Sequence, residues 1–416
     1  MQQIQIIMNE QQNVHIETLL ASKRFQETKM TLPCALGVTD EGDAFLFNLT
    51  KAPHVIIGGM PNEWIGYTMH AIIMSLLQKN NPEELKLVLI DARGVEFTAY
   101  ETLNSHYLAR MPYLDLSNIT NVGDAVDALN ALCGLMQERY DLLRRYDARN
   151  IANYNDKYNK GEIPLQPAHG IMPYYVVMIN ELGDFMMTAG KEFELPLAML
   201  AQLSRAVGIH IIVSSHRPLP RVFTGAIKAN FPCRIAYKTM TEKDSRIITD
   251  FPGAEQLQGK SDLLFVWGGE PIHIHGAYVD EERDIPSLCT KLTQLYEQCP
   301  QAILPALNHK ENGLEKNRMS IGEYIFQYAD PLFEEVAKLI VENQSASTSL
   351  IQRRFCLGYN RVSRLLDMTE SAGIVSSTKN DTYMRDVLVA DTNELMHKLI
   401  DIKKKLFKEY ERKMFI

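Results

Sequence analysis

The sequence predicts an α/β protein: a doubly wound, mostly parallel sheet followed by a smaller unit of three helices and a two-stranded hairpin. Three observations predict it. Between about residues 30 and 298, apolar runs rich in β-branched residues alternate with helical patterns. One run, in HVIIGGMPNEWIGYTMHAIIMSLL from His54 to Leu77, has the outline of a phosphate-binding loop: apolar strand, glycine pair, short loop, long amphipathic helix. Beyond residue 319, three helical patterns precede a hairpin pattern, the order of a winged helix.

The elements follow from local chemistry in chain order. In residues 1–29, Ile4–Ile7 reads as a short strand and Glu17–Phe25 as a helical segment leading into the main domain, 30–298. There VIIGG, LKLVLIDA, YYVVMIN and GIHIIVSS read as strands, and Tyr67–Lys79, Val122–Tyr146 and Glu192–Val207 as helices. Ligands of such sheets sit at the carboxyl ends of strands, where the glycine pair falls. Residues 299–319, with PQAILPALNHKENGLEKN, are polar, hold two prolines and no sustained period, and read as a linker. In the unit 320–391, Asp330 caps a helix from Pro331. SASTSLIQRRF gives a second helix, GYNRVSRLLDMTESAG a third, and IVSSTKNDTYMRDVLVA the hairpin. In the tail, 392–416, Leu395, Leu399, Ile402, Leu406 and Tyr410 share one helical face beside Lys403 to Lys405, expected to pack on its own domain or a twin.

At 416 residues, with 46% hydrophobic and 23% charged, the chain can fill two to three globular cores. No apolar run approaches the roughly 20 residues that span a bilayer. The start MQQIQIIMNEQQ has neither a basic stretch nor a cleavage site, so the expectation is a cytoplasmic protein with no membrane partner. The six cysteines stand singly, with no CxxC and no histidine pairing, which indicates neither a disulfide framework nor a metal site. A net charge of −8 excludes indiscriminate nucleic-acid binding, but Gln352–Arg364 holds four arginines and no acid. A local basic face permits a specific DNA-binding element.

The order of motifs resembles the FtsK/SpoIIIE DNA translocases, ring-forming bacterial motors that pump duplex DNA during chromosome segregation and cell division. The likeness runs from about Ile16 to Val389. It is carried by ASKRFQETKMTLPCALG, LVLIDARGVEFTAYETL, ERYDLLRRYDARNIANYN, ELGDFMMTAGKEFELP, LAQLSRAVGIHIIVSSHRP, EKDSRIITDFPGAEQLQGKSDLLF and FCLGYNRVSRLLDMTESAGIVSS. The resemblance implies a RecA-like P-loop NTPase-type domain followed by a γ-like winged-helix DNA-binding domain. It also implies double-stranded DNA as partner, a homo-hexamer or a mixed ring with an active FtsK-like motor, and contact with a XerD-type recombinase. The family's membrane-spanning N-terminal region and long Pro/Gln-rich linker are expected to be absent.

The family's P-loop reads GxxxxGK[ST]: glycines let backbone N–H groups close on phosphates, lysine neutralises them, and the hydroxyl holds magnesium. Over Gly59, Met60, Pro61, Asn62, Glu63, Trp64, Ile65 and Gly66, the resemblance keeps the first glycine. Trp64 replaces the second glycine, Ile65 the lysine and Gly66 the hydroxyl residue, while Glu63 brings an acid to an anion site. Losing one such charged contact costs on the order of 2–5 kcal/mol. Asn180-Glu181 stands where the family has Asp-Glu, leaving Glu181 to activate water without the magnesium-supporting acid. His216 stands where the family has a γ-phosphate-sensing glutamine.

Other positions match the family. Arg205 is the implied arginine finger that reaches a neighbouring subunit's nucleotide. Arg217, Lys228 and Arg246 match channel residues, although Glu242 falls where a further lysine is expected. In the winged helix, Asn360, Arg361 and Arg364 suit base edges, and Arg353 and Arg354 suit phosphates. The expected protein therefore binds duplex DNA while its own ATP site is degenerate and holds no cofactor. The alternatives are an active translocase using ATP and magnesium through an atypical P-loop, and a structural subunit of a mixed hexamer.

Overall fold

Five apolar runs are buried along their whole length, and that burial makes them the centre of one sheet: an apolar run without alternation is stable only when both faces are covered. The computed structural model describes residues 14–114, 117–164, 170–296, 302–305, 332–355, 362, 365–366, 369–370, 372–379, 385–392, 394–396 and 398. They fall into two units, dividing at Leu307 and Asn308.

The first unit opens with β1 (Val14–His15), α1 (Ile16–Ala21), α2 (Lys23–Gln26) and the antiparallel pair β2 (Pro33–Val38) and β3 (Ala44–Asn48). β4 (His54–Gly58) leads into α3 (Asn62–Lys79), and β5 (Leu85–Asp91) into β6 (Ala109–Arg110) and β7 (Asn118–Ile119). After α4 (Val122–Arg145) and α5 (Ile151–Asn159) come β8 (Tyr174–Asn180), α6 (Leu182–Thr188), α7 (Lys191–Leu203) and β9 (Ile209–Ser215). The series closes with α8 (Gly225–Asn230), β10 (Cys233–Ala236), α9 (Glu242–Thr249), β11 (Asp262–Val266), β12 (Ile272–Tyr278), α10 (Asp284–Leu295) and β13 (Ala302–Ile303). The sheet order is β3-β2-β12-β11-β10-β4-β9-β8-β5-β7. From β10 to β7 every pairing is parallel, and from β10 to β3 every pairing is antiparallel.

Several elements differ from the sequence reading, each for a local reason. The expected single helix Glu17–Phe25 is broken at Ser22, whose hydroxyl accepts from Phe25 N–H and caps a new helix. The helix expected from Tyr67 begins five residues earlier, at Asn62. The helix expected through Val207 ends at Leu203 and tightens into a 3₁₀ turn over Ser204–Val207 before Gly208 at φ +76°. Within the expected linker, Ala302–Ile303 pairs in parallel with Ala109–Arg110. Ile4–Ile7 lies outside the described residues.

In the second unit, helices Phe333–Asn343 and Thr348–Phe355 precede the antiparallel strands Val375–Lys379 and Arg385–Val387. Residues 362, 365, 366, 369 and 370 between them are helical. Val336, Ile340, Ile351, Leu365, Ile374 and Val389 are among the residues of its core. Gln344, left-handed at φ +46°, ends the first helix and donates its side-chain N–H to the carbonyls of Val389 and Ala390. Leu395 of the tail is buried in the same core, while Leu399, Ile402, Leu406, Tyr410 and Lys403 to Lys405 lie outside the described residues.

Two histidines sit where β4 and β9 start. His54 Nδ1 accepts from Ile211 N–H at 3.2 Å, and His210 Nδ1 faces the Pro53 carbonyl at 3.1 Å; neither Nε2 has a partner. Burial lowers the His210 pKa to about 4, with the Arg205 charge adding and the Pro53 hydrogen bond opposing. A folded value below the unfolded ~6.5 means stability is complete above pH 6.5 and is lost as pH falls toward 4. Urea unfolding should show His210 contributing about 1.4 kcal/mol per pH unit across that window, and His210→Gln should flatten the slope. An unchanged slope in the variant would mean that other groups set the acid limit.

Candidate functional site

The residues expected at a nucleotide begin where β4 ends. Gly59, Met60 and Pro61 are all that separates β4 from α3. Gly59 has φ +117°, and a Cβ there would lie 2.6 Å from the Tyr237 carbonyl oxygen, so only glycine fits. Tyr237 N–H donates to the Gly58 carbonyl at 2.8 Å, and Met60 N–H donates to the Lys238 carbonyl at 2.9 Å. The Met60 amide is thereby committed to the chain after β10 instead of facing an anion.

Asn62–Gly66 are already helical, so no loop remains to wrap a phosphate. Trp64 is 4% exposed, edge-on to Tyr67 at 5.4 Å and tilted against Tyr237 at 6.5 Å. Ile65 is fully buried. A Cβ on Gly66 would lie 2.3 Å from Glu96 Oε1, so the carboxylate occupies the space that a hydroxyl side chain would need. Glu96 also approaches His70 Nε2 at 3.4 Å. Glu281 is held above the ordinary carboxyl range first by its own burial and then by Glu96 and Glu63, against His70. The start of α3 therefore faces carboxylates, the wrong sign for a triphosphate.

A second cluster lies at the carboxyl ends of β5, β8 and β9. Asp91, fully buried, accepts backbone N–H bonds from Arg93, Val95 and Glu96 at 2.8 to 3.2 Å. Asn180 donates Nδ2–H to Asp91 at 3.3 Å and accepts from the Ser214 hydroxyl at 2.8 Å, which itself accepts from Glu181 N–H at 3.1 Å. An aspartate at 180 would set two carboxylates side by side in the interior; the amide supplies a donor instead. Glu181 is left-handed at φ +53° and its side chain is 2% exposed. His216 Nδ1 reaches its carboxylate at 2.5 Å, and Arg217 Nε donates to His216 Nε2 at 3.1 Å. One tautomer, with the proton on Nδ1, satisfies both contacts.

The other expected residues are spread across the unit. Arg205 precedes β9 and is exposed, whereas His216 follows it; the seven residues of β9 itself span about 20 Å. Arg205 thus stands at the opposite end of the sheet from Glu181, and its guanidinium makes no hydrogen bond or ion pair with any described residue. Arg217 is exposed. Lys228 pairs with Asp250, which also holds Arg234, and Arg246 pairs with Glu242 at 2.7 Å. Arg353 and Arg354 are exposed on the helix Thr348–Phe355. Asn360, Arg361 and Arg364 lie outside the described residues.

Sequence reasoning missed Glu96, Asp91 and Ser214. An acid ending an apolar strand, as in LKLVLIDA, is the signal that could have found Asp91; no spacing pointed to Glu96 on Gly66.

Restoring the acid at Asn180 should therefore damage the fold. Asn180→Asp is expected to lose about 1–3 kcal/mol of urea stability at pH 8, with part recovered at pH 5 as one carboxyl protonates. Trp64→Ala should cost about 3–5 kcal/mol through the cavity it leaves. Wild-type stability in either variant would mean that these side chains are not packed as described.

Comparison with known proteins places these observations in context. Residues 15–220 match the FtsK/SpoIIIE family, and residues 327–390 match the Ftsk gamma domain. The DNA translocase FtsK of Chlorobaculum tepidum is 36% identical over 94% of this chain and 47% of its own length. That of Haemophilus influenzae is 34% identical over 89% of this chain and 71% of its own length. The DNA translocase SftA of Bacillus subtilis is 35% identical over 90% of this chain and 37% of its own length. The chain spans less than half the length of the first and third of these relatives. Among solved structures, the pCW3 conjugation coupling protein TcpA, a monomer form with ATPgS, aligns with TM-score 0.54 and 25% identity over 64% of this chain and 71% of its own. The cytoplasmic domain of the Thermomonospora curvata type VII secretion ATPase EccC shares the fold, with TM-score 0.59 and 20% identity over 71% of this chain and 36% of its own. No helix among the described residues is long and apolar enough to cross a membrane.

Proposed function

Because this chain belongs to the FtsK/SpoIIIE family, we propose that it is a duplex-DNA-binding member of that translocase system, acting in chromosome segregation without an ATP site of its own. The observation that carries the reading is Trp64 and Ile65 packed inside the first turn of α3, after a loop whose Met60 amide is already hydrogen-bonded to Lys238. ATP and magnesium do not fit the residues present. Ile65 offers no cation, Gly66 no hydroxyl, and Asn180 gives its oxygen to Ser214. No hydrolytic step is therefore assigned to this chain. Glu181, held by His216 and through it by Arg217, serves to fix the loop after β9 and to orient an exposed arginine.

DNA contact is assigned to Arg217 in the first unit and to Arg353 and Arg354 in the second, all three exposed, while Lys228 pairs with Asp250 and Arg246 with Glu242. A phosphate contact carries no sequence information but adds close to one unit of salt slope. Arg353→Ala/Arg354→Ala should weaken duplex binding for all sequences alike and lower the salt slope by about 1–2. Absence of duplex binding by the full chain at low salt would count decisively against DNA as the partner.

A second reading, of a mixed ring, is favoured by Arg205. It is exposed and remote from the chain's own loop, so it suits a role on a neighbour's nucleotide. A subunit of this kind donates Arg205 to an active FtsK-like partner while turning over no ATP itself; an arginine finger contributes about 10³–10⁵ in rate elsewhere. With DNA present, the chain alone should show no ATP turnover above that of Glu181→Ala. In a mixed assembly verified by mass, Arg205→Ala should depress the partner's turnover. Turnover by the chain alone that disappears in Glu181→Ala overturns the first reading, and an Arg205 variant without effect in a proven mixed ring overturns the second.

A further inference from the structure

Far from the loop after β4, at the antiparallel end of the sheet, two histidines and two aspartates converge. His273 and His275 are two residues apart on β12 and so share a face. Asp262 on β11 is directly opposite His275, and on the other side His275 pairs with Val38, two residues before Asp40 in the β2–β3 turn. His273 Nδ1 lies 2.6 Å, and His275 Nε2 3.3 Å, from Asp40 Oδ1. His275 Nδ1 lies 3.0 Å from Asp262 Oδ1, and His273 Nε2 3.8 Å from Asp262 Oδ2. Among the described residues, neither aspartate is ion-paired with a lysine or arginine.

Proton counting makes this arrangement informative. Four ring nitrogens face carboxylate oxygens, but two neutral imidazoles carry two N–H protons between them. Two nitrogen lone pairs are therefore directed at anions unless additional protons or a metal cation intervene. If His273 Nδ1 and His275 Nε2 give their lone pairs to a metal shared with Asp40, the remaining protons, on His273 Nε2 and His275 Nδ1, both point to Asp262. That is the carboxylate–histidine–metal relay by which an outer acid fixes the tautomer of a ligand. Asp262 is itself held by Gly259 N–H at 2.7 Å and is 13% exposed, while Asp40 is 61% exposed, so the site has a fixed inner wall and an open outer one.

We propose that Asp40, His273 and His275 bind a divalent transition metal of the zinc class, with Asp262 hydrogen-bonded to His275 and so orienting its imidazole. The three ligand atoms lie within 4.8 Å of one another, and tetrahedral zinc at about 2.0–2.2 Å from each requires separations near 3.3 Å, a shift that exposed side chains can make. Imidazole with carboxylate suits zinc rather than magnesium or calcium, and three protein ligands leave one position open to solvent. The ion joins the β2–β3 turn to the β11–β12 ladder. A second cluster, His15, Glu17 and Asp284, is not comparable, because the Arg283 guanidinium already sits among its members at 2.9 to 3.6 Å.

The test is a competition titration of zinc against a chromophoric chelator, using the full chain stripped with EDTA. One zinc per chain is expected, with no competition from millimolar magnesium or calcium, and a rise in the thermal midpoint that the His273→Gln/His275→Gln double variant lacks. Asp40→Asn should lower affinity, and Asp262→Asn should lower affinity about 10–100-fold. Cobalt in place of zinc should give the visible absorption of a low-coordinate nitrogen and oxygen site. Substoichiometric zinc, equal binding of magnesium, or one zinc retained by the double variant would each overturn the assignment.

Discussion

The pair of hydrogen bonds joining Gly58 and Met60 to Tyr237 and Lys238 is the constraint on which the rest of the first unit's functional end depends. It pins the exit of β4 to the exit of β10 and leaves three residues before α3 must begin. With so short a connection the helix absorbs Asn62–Gly66, and its first inward-facing positions fall on Trp64 and Ile65. Their burial is worth about 1.5–3 kcal/mol each, so the positions that hold glycine and lysine in the GxxxxGK[ST] pattern here stabilise the fold. Gly66 then meets the carboxylate end of the Glu96 side chain, which would have to move to admit a larger residue.

The polar chain at the carboxyl ends of β5, β8 and β9 follows the same logic. Asp91 is a carboxyl group with no exposure, accepting from three backbone amides and the Asn180 amide. Ser214 passes the connection to the Glu181 backbone, and Glu181 is joined through His216 to Arg217. A buried network of this kind rigidifies the site when every member is partnered and is costly when one is altered. Asn180 and His216, which look like separate departures from the family when read in sequence, are neighbours in one arrangement. Each keeps a different carboxylate, Asp91 or Glu181, supplied with a donor.

The parallel half of the sheet was legible because its strands are unbroken apolar runs bounded by helical periodicity, as in LKLVLIDA and YYVVMIN. The β2–β3 and β11–β12 hairpins were not anticipated although their strands are neighbours in sequence, and the pairing of β12 with β2, which joins one hairpin to the other, was illegible because those strands are far apart in the chain. Trp64 and Ile65 announced themselves against the spacing of the P-loop pattern, and Asn180 against the family's Asp-Glu pair. The contact between Gly66 and Glu96 did not, because it joins residues thirty apart that only the turn after β5 brings together. The cluster of Asp40, Asp262, His273 and His275 was invisible to a search built on cysteine spacing; the alternation in IHIHG was the one available sign. Arg205 was named from the family's pattern, and its place at the far end of β9 follows only from the strand's direction.

The central proposal is that this family member carries a packed helix start in place of a nucleotide site. Its most direct test is an equilibrium titration of the full chain with a fluorescent ATP analogue and magnesium, beside a relative that carries the complete GxxxxGK[ST] pattern. The account predicts saturable, ATP-displaceable binding for the relative and none for this chain up to millimolar nucleotide. Saturable binding by this chain, displaced by unlabelled ATP and weakened by Gly59→Ala, would contradict it.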